Sequence, residues 1–123
     1  FTPDDLGHLN AHGTGTPAND ATESKALLAL CGEEAGSRIP VTSVKGTTGH
    51  TLGAAGAIEA IVTALSVMND CVPPTAGFAE ADPECPVSVV IEAKTGYPQK
   101  VALSNSLGFG GHNASLALSP YRA

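Results

Sequence analysis

Over residues 54–68 the apolar positions Ile58, Ile61, Val62, Leu65 and Met68 recur at three- and four-residue spacing, the period of one helix face. They predict a helix. Its remaining positions are mostly Ala, Gly, Thr and Ser, so it has almost no polar side and reads as buried all round. Its one charge is Glu59. A buried carboxylate must find a cation or lose its proton, and the nearest preceding cation is Lys45. An earlier helix is predicted where Asp20 and Glu23 read as a capping box ahead of residues 25–31, which carry Leu27, Leu28 and Leu30. Gly32 or Gly36 ends it. β-Branched residues mark 39–44 as a short buried strand, and 87–91 and 101–106 as two more. Residues 115–119 alternate Leu116 and Leu118 as a further strand, and 9–11 read as a strand's tail. Helix and strand alternate first and strands then follow one another. That order predicts an α/β fold, with a mixed β-sheet layered with helices.

The breaks between these elements are Gly- and Pro-rich, in keeping with 14 Gly and nine Pro in 123 residues. Residues 12–17 (His-Gly-Thr-Gly-Thr-Pro) and 45–53 read as loops, 72–75 as an extended connector, and 108–111 as a tight turn. With no Trp and 4% aromatic residues, the core must be aliphatic. The net charge of −6 argues against nucleic acid and against anionic membranes as partners. No apolar run approaches the roughly 20 residues that span a bilayer, and no signal-peptide pattern opens the chain. Cys31, Cys71 and Cys85 are odd in number and lack metal-binding spacing, so they read as reduced thiols, and no metal site is expected. The chain opens on Phe1 and enters a motif within about a dozen residues, which reads as a start inside a longer protein.

Three Gly-rich loops, 12–16, 45–50 and 108–113, each follow a predicted strand, where α/β proteins build their sites. Singly they are weak signals. His12 or His50 alone reads sooner as a structural turn residue than as a catalytic one, and 108–111 reads as readily as a plain hairpin. No Gly-Lys-Ser/Thr completes a phosphate loop, and no Gly-x-Ser-x-Gly surrounds Ser104 or Ser106.

Together the loops are specific. Asn10-Ala11-His12-Gly13-Thr14-Gly15-Thr16-Pro17, Ser43-Val44-Lys45-Gly46-Thr47-Thr48-Gly49-His50, Gly53-Ala54-Ala55-Gly56-Ala57-Ile58-Glu59, Pro73-Pro74-Thr75 and Ser104-Asn105-Ser106-Leu107-Gly108-Phe109-Gly110-Gly111-His112-Asn113 occur in one order with matching gaps. In these segments the chain resembles the β-ketoacyl synthases, the condensing enzymes of fatty-acid and polyketide synthesis, and most closely the type that elongates existing acyl chains. The resemblance implies a thiolase-like fold, with residues 1–123 as a partial C-terminal domain. The half bearing the nucleophilic Cys is then absent, and the chain is inactive without it. Cys31, at a helix end, and Cys71 and Cys85, in Pro-rich connectors, do not fit that nucleophile.

The resemblance implies an acyltransferase of fatty-acid biosynthesis and lipid metabolism. It would perform decarboxylative Claisen condensation of malonyl-carrier protein with an enzyme-bound acyl thioester. His12 and His50 would donate hydrogen bonds to the thioester oxygen, with Lys45 as a third charged group. Glu59 would pair with Lys45, the pair tuning and positioning His50. Thr14 and Thr16 would bind the pantetheine arm. Phe109 would gate the acyl pocket between the hinges Gly108 and Gly110, and its amide would join an oxyanion hole. No cofactor is implied; substrates ride on the phosphopantetheine of acyl carrier protein. The implied partners are that carrier, the N-terminal half and, for the full enzyme, a second copy, in the cytoplasm. Leu107 stands where Phe is usual, which bears on chain length, and His112 stands where Thr is common and, lying past the turn, reads as structural. A polyketide ketosynthase fragment, or a non-catalytic scaffold or chain-length subunit, is the alternative; retention of His12 and His50 favours catalysis.

Overall fold

The computed structural model describes residues 1–121. Strand β1 (Leu6–Asn10) is the middle of a five-stranded sheet, and all but Gly7 of its residues are buried. The chain then forms α1 (Pro17–Cys31), α2 (Glu33–Gly36), β2 (Pro40–Thr42), α3 (Lys45–Thr48) and α4 (Ala55–Met68). After these come β3 (Cys71–Val72), β4 (Ser88–Val89), β5 (Lys94–Thr95), β6 (Val101–Ser106) and β7 (Ala114–Leu118). The large sheet runs β4-β2-β1-β6-β7, parallel except for the β6–β7 hairpin, and β3 pairs with β5 in a separate antiparallel ribbon. The mixed α/β sheet expected from the sequence is therefore present. The β3–β5 ribbon was not anticipated, because two residues per strand are too few to show a period.

The alternation of β1 decides which helix lies on which face. Leu9 and Ala11 point to one side and cluster with Leu6, Val41 and Leu27 of α1. Leu27 and Leu9 are almost wholly buried, and each such side chain contributes about 2 kcal/mol of hydrophobic stabilisation. His8 and Asn10 bond to Ser66 and Thr63 of α4. Thus α1 and α4 sandwich the central strand.

Several predicted bounds shift. α1 begins at Pro17 with Thr16 as its N-cap residue, so Asp20 and Glu23 form no capping box. The strand predicted at 39–44 shrinks to β2, and that at 87–91 to β4. Residues 45–53 are not all loop, since α3 opens them; Gly46 is needed there because an added Cβ would lie 2.0 Å from the Ala76 carbonyl oxygen. The largest correction is to α4. Its buried residues are Ala55, Glu59, Thr63, Ser66 and Val67. Of the predicted apolar stripe, Ile58 and Val62 are half-buried and Ile61, Leu65 and Met68 lie outward, Ile61 61% and Met68 72% exposed. Among the described residues, no helix is long and apolar enough to cross a membrane.

Candidate active site

Loops at the C-terminal ends of the parallel strands β1 and β2 deliver His12 and Lys45 to one place. The Lys45 ammonium has three donors, and all are used. One goes to the Glu59 carboxylate on the first turns of α4, one to the His12 carbonyl oxygen at 2.6 Å, and one to His12 Nδ1 at 3.3 Å. Lys45 and Glu59 are both buried, so the cation inferred for Glu59 is indeed Lys45. Asn10 ties this level of α4 to β1 by donating to the Glu59 carbonyl oxygen at 3.1 Å and to Thr63 Oγ1 at 3.0 Å.

This arrangement fixes the His12 tautomer. An ammonium can only donate, so Nδ1 accepts and the ring proton of neutral His12 sits on Nε2. Burial first, and the Lys45 ammonium second, hold His12 below its ordinary pKa, which keeps the ring neutral near pH 7. His50, exposed, receives the Leu52 N–H on its own Nδ1 at 3.1 Å, so its neutral form also carries the proton on Nε2. The two rings lie edge to face with centroids 5.3 Å apart. The site therefore presents two neighbouring imidazole N–H donors. Lys45 of the pair bonds to His12, in the loop after β1, and the one hydrogen bond to His50 among the described residues comes from the Leu52 N–H.

Other expected residues are placed unevenly. Thr14, Lys45 and His50 line one cavity of about 540 Å³. Thr14 Oγ1 and Thr16 Oγ1 bond to each other at 2.9 Å. Gly108, Phe109 and Gly110 lie on the turn between β6 and β7, where Phe109 is fully exposed and Gly110 takes φ +76°. None of the three lines that cavity. Leu107 is half-buried and His112 exposed. Cys85 does share the cavity's lining, but its sulfur lies 4.0 Å from an Asp82 carboxylate oxygen, the wrong charge for a thiolate. Cys31 ends α1, and burial, with Asp4 second, raises its thiol pKa. No group of three His, Cys, Asp or Glu suited to a metal occurs among the described residues.

Two residues of the site were missed. Glu23 accepts the backbone N–H groups of His12 and Gly13 at 2.9 and 2.7 Å. Pro17 was the signal: Pro favours the first helical position, which puts Glu23 in the second turn and out of capping reach. Ser43 opens one of the matching segments, but nothing in the sequence assigned it the role the fold gives it: its hydroxyl donates to the Gly13 carbonyl at 2.8 Å.

Residues 1–79 match the family described as "Beta-ketoacyl synthase, C-terminal domain". The chain is 46% identical over 120 residues to the 3-oxoacyl-[acyl-carrier-protein] synthase 2 of Synechocystis sp. (strain ATCC 27184 / PCC 6803 / Kazusa); the match covers 98% of this chain and 29% of that protein. Among solved structures it is similar to the ishigamide ketosynthase/chain length factor, at TM-score 0.90 and 37% identity over 98% of this chain and 29% of that one. It is also similar to a type II polyketide ketosynthase solved in complex with its acyl-carrier protein and bound to the hexaketide, at TM-score 0.91 and 35% identity over 99% of this chain and 30% of that one. The chain thus spans under a third of the length of these relatives. By its matched domain and its thiolase-like fold, the chain belongs to the β-ketoacyl synthase family.

Proposed function

We propose that this chain is the C-terminal catalytic part of a 3-oxoacyl-acyl-carrier-protein synthase, working with an N-terminal half that supplies the nucleophilic cysteine. The observation that carries the reading is the pair of imidazoles 5.3 Å apart, each with its proton on Nε2. In the proposed reaction the acyl group waits as a thioester on that cysteine, which splits one hard step into two. The bond from C2 of malonyl-carrier protein to its carboxylate breaks and releases carbon dioxide. Its electron pair moves into an enolate, whose oxygen accepts hydrogen bonds from His12 and His50. Donors already in place when charge develops are worth a few kcal/mol each. The enolate carbon attacks the acyl carbonyl, and the resulting oxyanion accepts the Phe109 amide. The carbon–sulfur bond then breaks, leaving the 3-oxoacyl thioester and a free thiolate.

Lys45, paired with Glu59, donates to His12 and keeps its ring neutral and oriented, and neither residue of the pair moves a proton. Thr14 and Thr16 offer hydroxyls to the amides of the phosphopantetheine arm, and Phe109, between Gly108 and Gly110, closes the acyl pocket. The partners in this reading are acyl carrier protein, the N-terminal half and a second copy of the full-length enzyme, in the cytoplasm. The 46% identity to a carrier-protein synthase 2 favours fatty-acid over polyketide synthesis. Intact His12 and His50 favour a catalytic over a chain-length subunit.

Replacing either histidine, as His12→Ala or His50→Ala in the full-length protein, should lower release of carbon dioxide from malonyl-carrier protein by about a hundredfold or more. Rates near wild type in both variants would reject the reading.

A further inference from the structure

Glu23 is buried, yet no Lys, Arg or His pairs with it in an ion pair among the described residues. Its two oxygens are satisfied by four N–H donors instead. Oε1 accepts His12 N–H at 2.9 Å and Asn105 Nδ2 at 3.4 Å; Oε2 accepts Gly13 N–H at 2.7 Å and Asn19 Nδ2 at 3.0 Å. Successive backbone N–H groups directed at one point make a concavity that suits an anion. Here the protein supplies that anion itself.

Across the same two residues, the His12 carbonyl oxygen is held by Lys45 and the Gly13 carbonyl oxygen by Ser43. All four backbone polar groups of His12 and Gly13 are therefore taken by side chains. Gly13 itself sits at φ +47°, and an added Cβ would lie 2.5 Å from the Ser43 Cβ, so no other residue fits there. The backbone that carries the His12 ring is clamped on both sides.

The clamp reaches further. Asn105, in β6, faces Ser115 of β7, and its Oδ1 accepts the Ser115 hydroxyl at 2.7 Å. One residue thus joins the hairpin that carries the Phe109 turn to the carboxylate that holds the His12 loop. We infer that Glu23 is the positioning residue of the His12 imidazole, and that Asn105 ties the seat of the Phe109 turn into the same clamp. The inference rests on the proposed roles of His12 and Phe109. The carboxylate also acts on the ring through space, since its charge favours the imidazolium.

The experiment uses the full-length protein carrying this sequence, with Glu23→Gln and Asn105→Ala. A glutamine keeps the shape but turns an NH2 group toward a backbone N–H. Misplacement of a catalytic group by about 1 Å costs about a hundredfold, so E23Q should lower kcat for decarboxylation of malonyl-carrier protein by about that much, with KM within about threefold. Losing the negative charge should also move the acid limb of its pH–rate profile to lower pH, which a purely structural role would not do. In hydrogen–deuterium exchange, residues 12–16 should exchange about tenfold faster in E23Q, and both 12–16 and 107–111 faster in N105A. Wild-type exchange at 12–16 in folded E23Q overturns the clamp. Faster exchange at 107–111 alone in N105A overturns the link. If E23Q fails to fold, N105A, altered at a half-buried position, decides both through the same segments. If the wild-type protein shows no thioester chemistry, the functional reading falls, and the exchange data still decide the clamp.

Discussion

At the scale of single residues the candidate site turns on where protons sit. Lys45 spends each of its donors within the site, and that alone sets the tautomer of His12. The requirement that Glu59 find a cation was readable in the sequence, because one carboxylate stood in an otherwise uncharged helix. That Lys45 serves His12 was not readable, since it depends on where the loop after β1 places the His12 carbonyl and ring. Glu23 was hidden for a related reason: an acidic residue near a helix start has a local explanation, and only the position of Pro17 argues against it. Breaking the buried pair from one side leaves an ammonium without its counter-charge. Glu59→Gln should therefore cost about 3 kcal/mol or more, seen as a fall of several degrees in the melting midpoint of the full-length protein. The double variant Lys45→Met with Glu59→Gln should recover part of that loss, as coupled neighbours do. An unchanged midpoint together with unchanged activity in the single variant would remove the pair from the account.

At the scale of elements, the faces of the helices show what periodicity can and cannot tell. The spacing in α4 located the helix within a residue of its start, yet Ile61, Leu65 and Met68 of the stripe that reads as core lie outward. The inward face is polar because β1 offers polar partners there. His8 Nε2 meets Thr42 Oγ1 at 2.8 Å, and His8 Nδ1 meets Ser66 Oγ at 3.3 Å. The Ser66 hydroxyl also bonds the Cys71 carbonyl oxygen, and Gln99 Nε2 donates to Ser66 Oγ at 3.1 Å. This network joins β1, β2, α4 and β3 through uncharged groups. No sequence pattern announces it, because each residue is ordinary on its own element. It has a pH signature. Burial pushes His8 down from 6.5 to about 4. Folding therefore favours the neutral ring, so the contribution is intact above pH 6.5 and is lost as pH falls from there toward 4. The full loss is about 3 kcal/mol at 1.36 kcal/mol per unit. His8→Gln keeps polar groups without the titration. The melting midpoint of this variant should fall less between pH 7 and pH 5 than that of the wild type, and parallel profiles would show that His8 does not set the acid limit.

At the scale of the whole molecule, the order and type of the long elements followed from sequence, and so did the mixed sheet. Which surfaces stay open did not, because binary patterning assumes that every apolar face meets something within the same chain. Here Ile61, Leu65 and Met68 form one outward stripe along α4, the helix whose opposite face carries Glu59 of the proposed site. Scattered exposed apolar residues are ordinary, but three at helical spacing on one helix make a patch. The chain spans 29% of the length of the Synechocystis synthase, and in the proposed reading the cysteine-bearing half lies in the remainder. Covering this stripe would bring that half against the helix that holds the Lys45–Glu59 pair, so assembly and site geometry would be linked through α4. The 123-residue chain on its own should then self-associate. Sedimentation across a concentration series should show the association, and Ile61→Gln with Leu65→Gln should weaken it while leaving far-ultraviolet circular dichroism unchanged, because both side chains face solvent in this fold. In the full-length protein the same double substitution should lower the melting midpoint, since each buried Ile or Leu contributes about 2 kcal/mol. A full-length protein indifferent to both changes would mean that the stripe stays in water there, and that the proposed N-terminal half docks elsewhere.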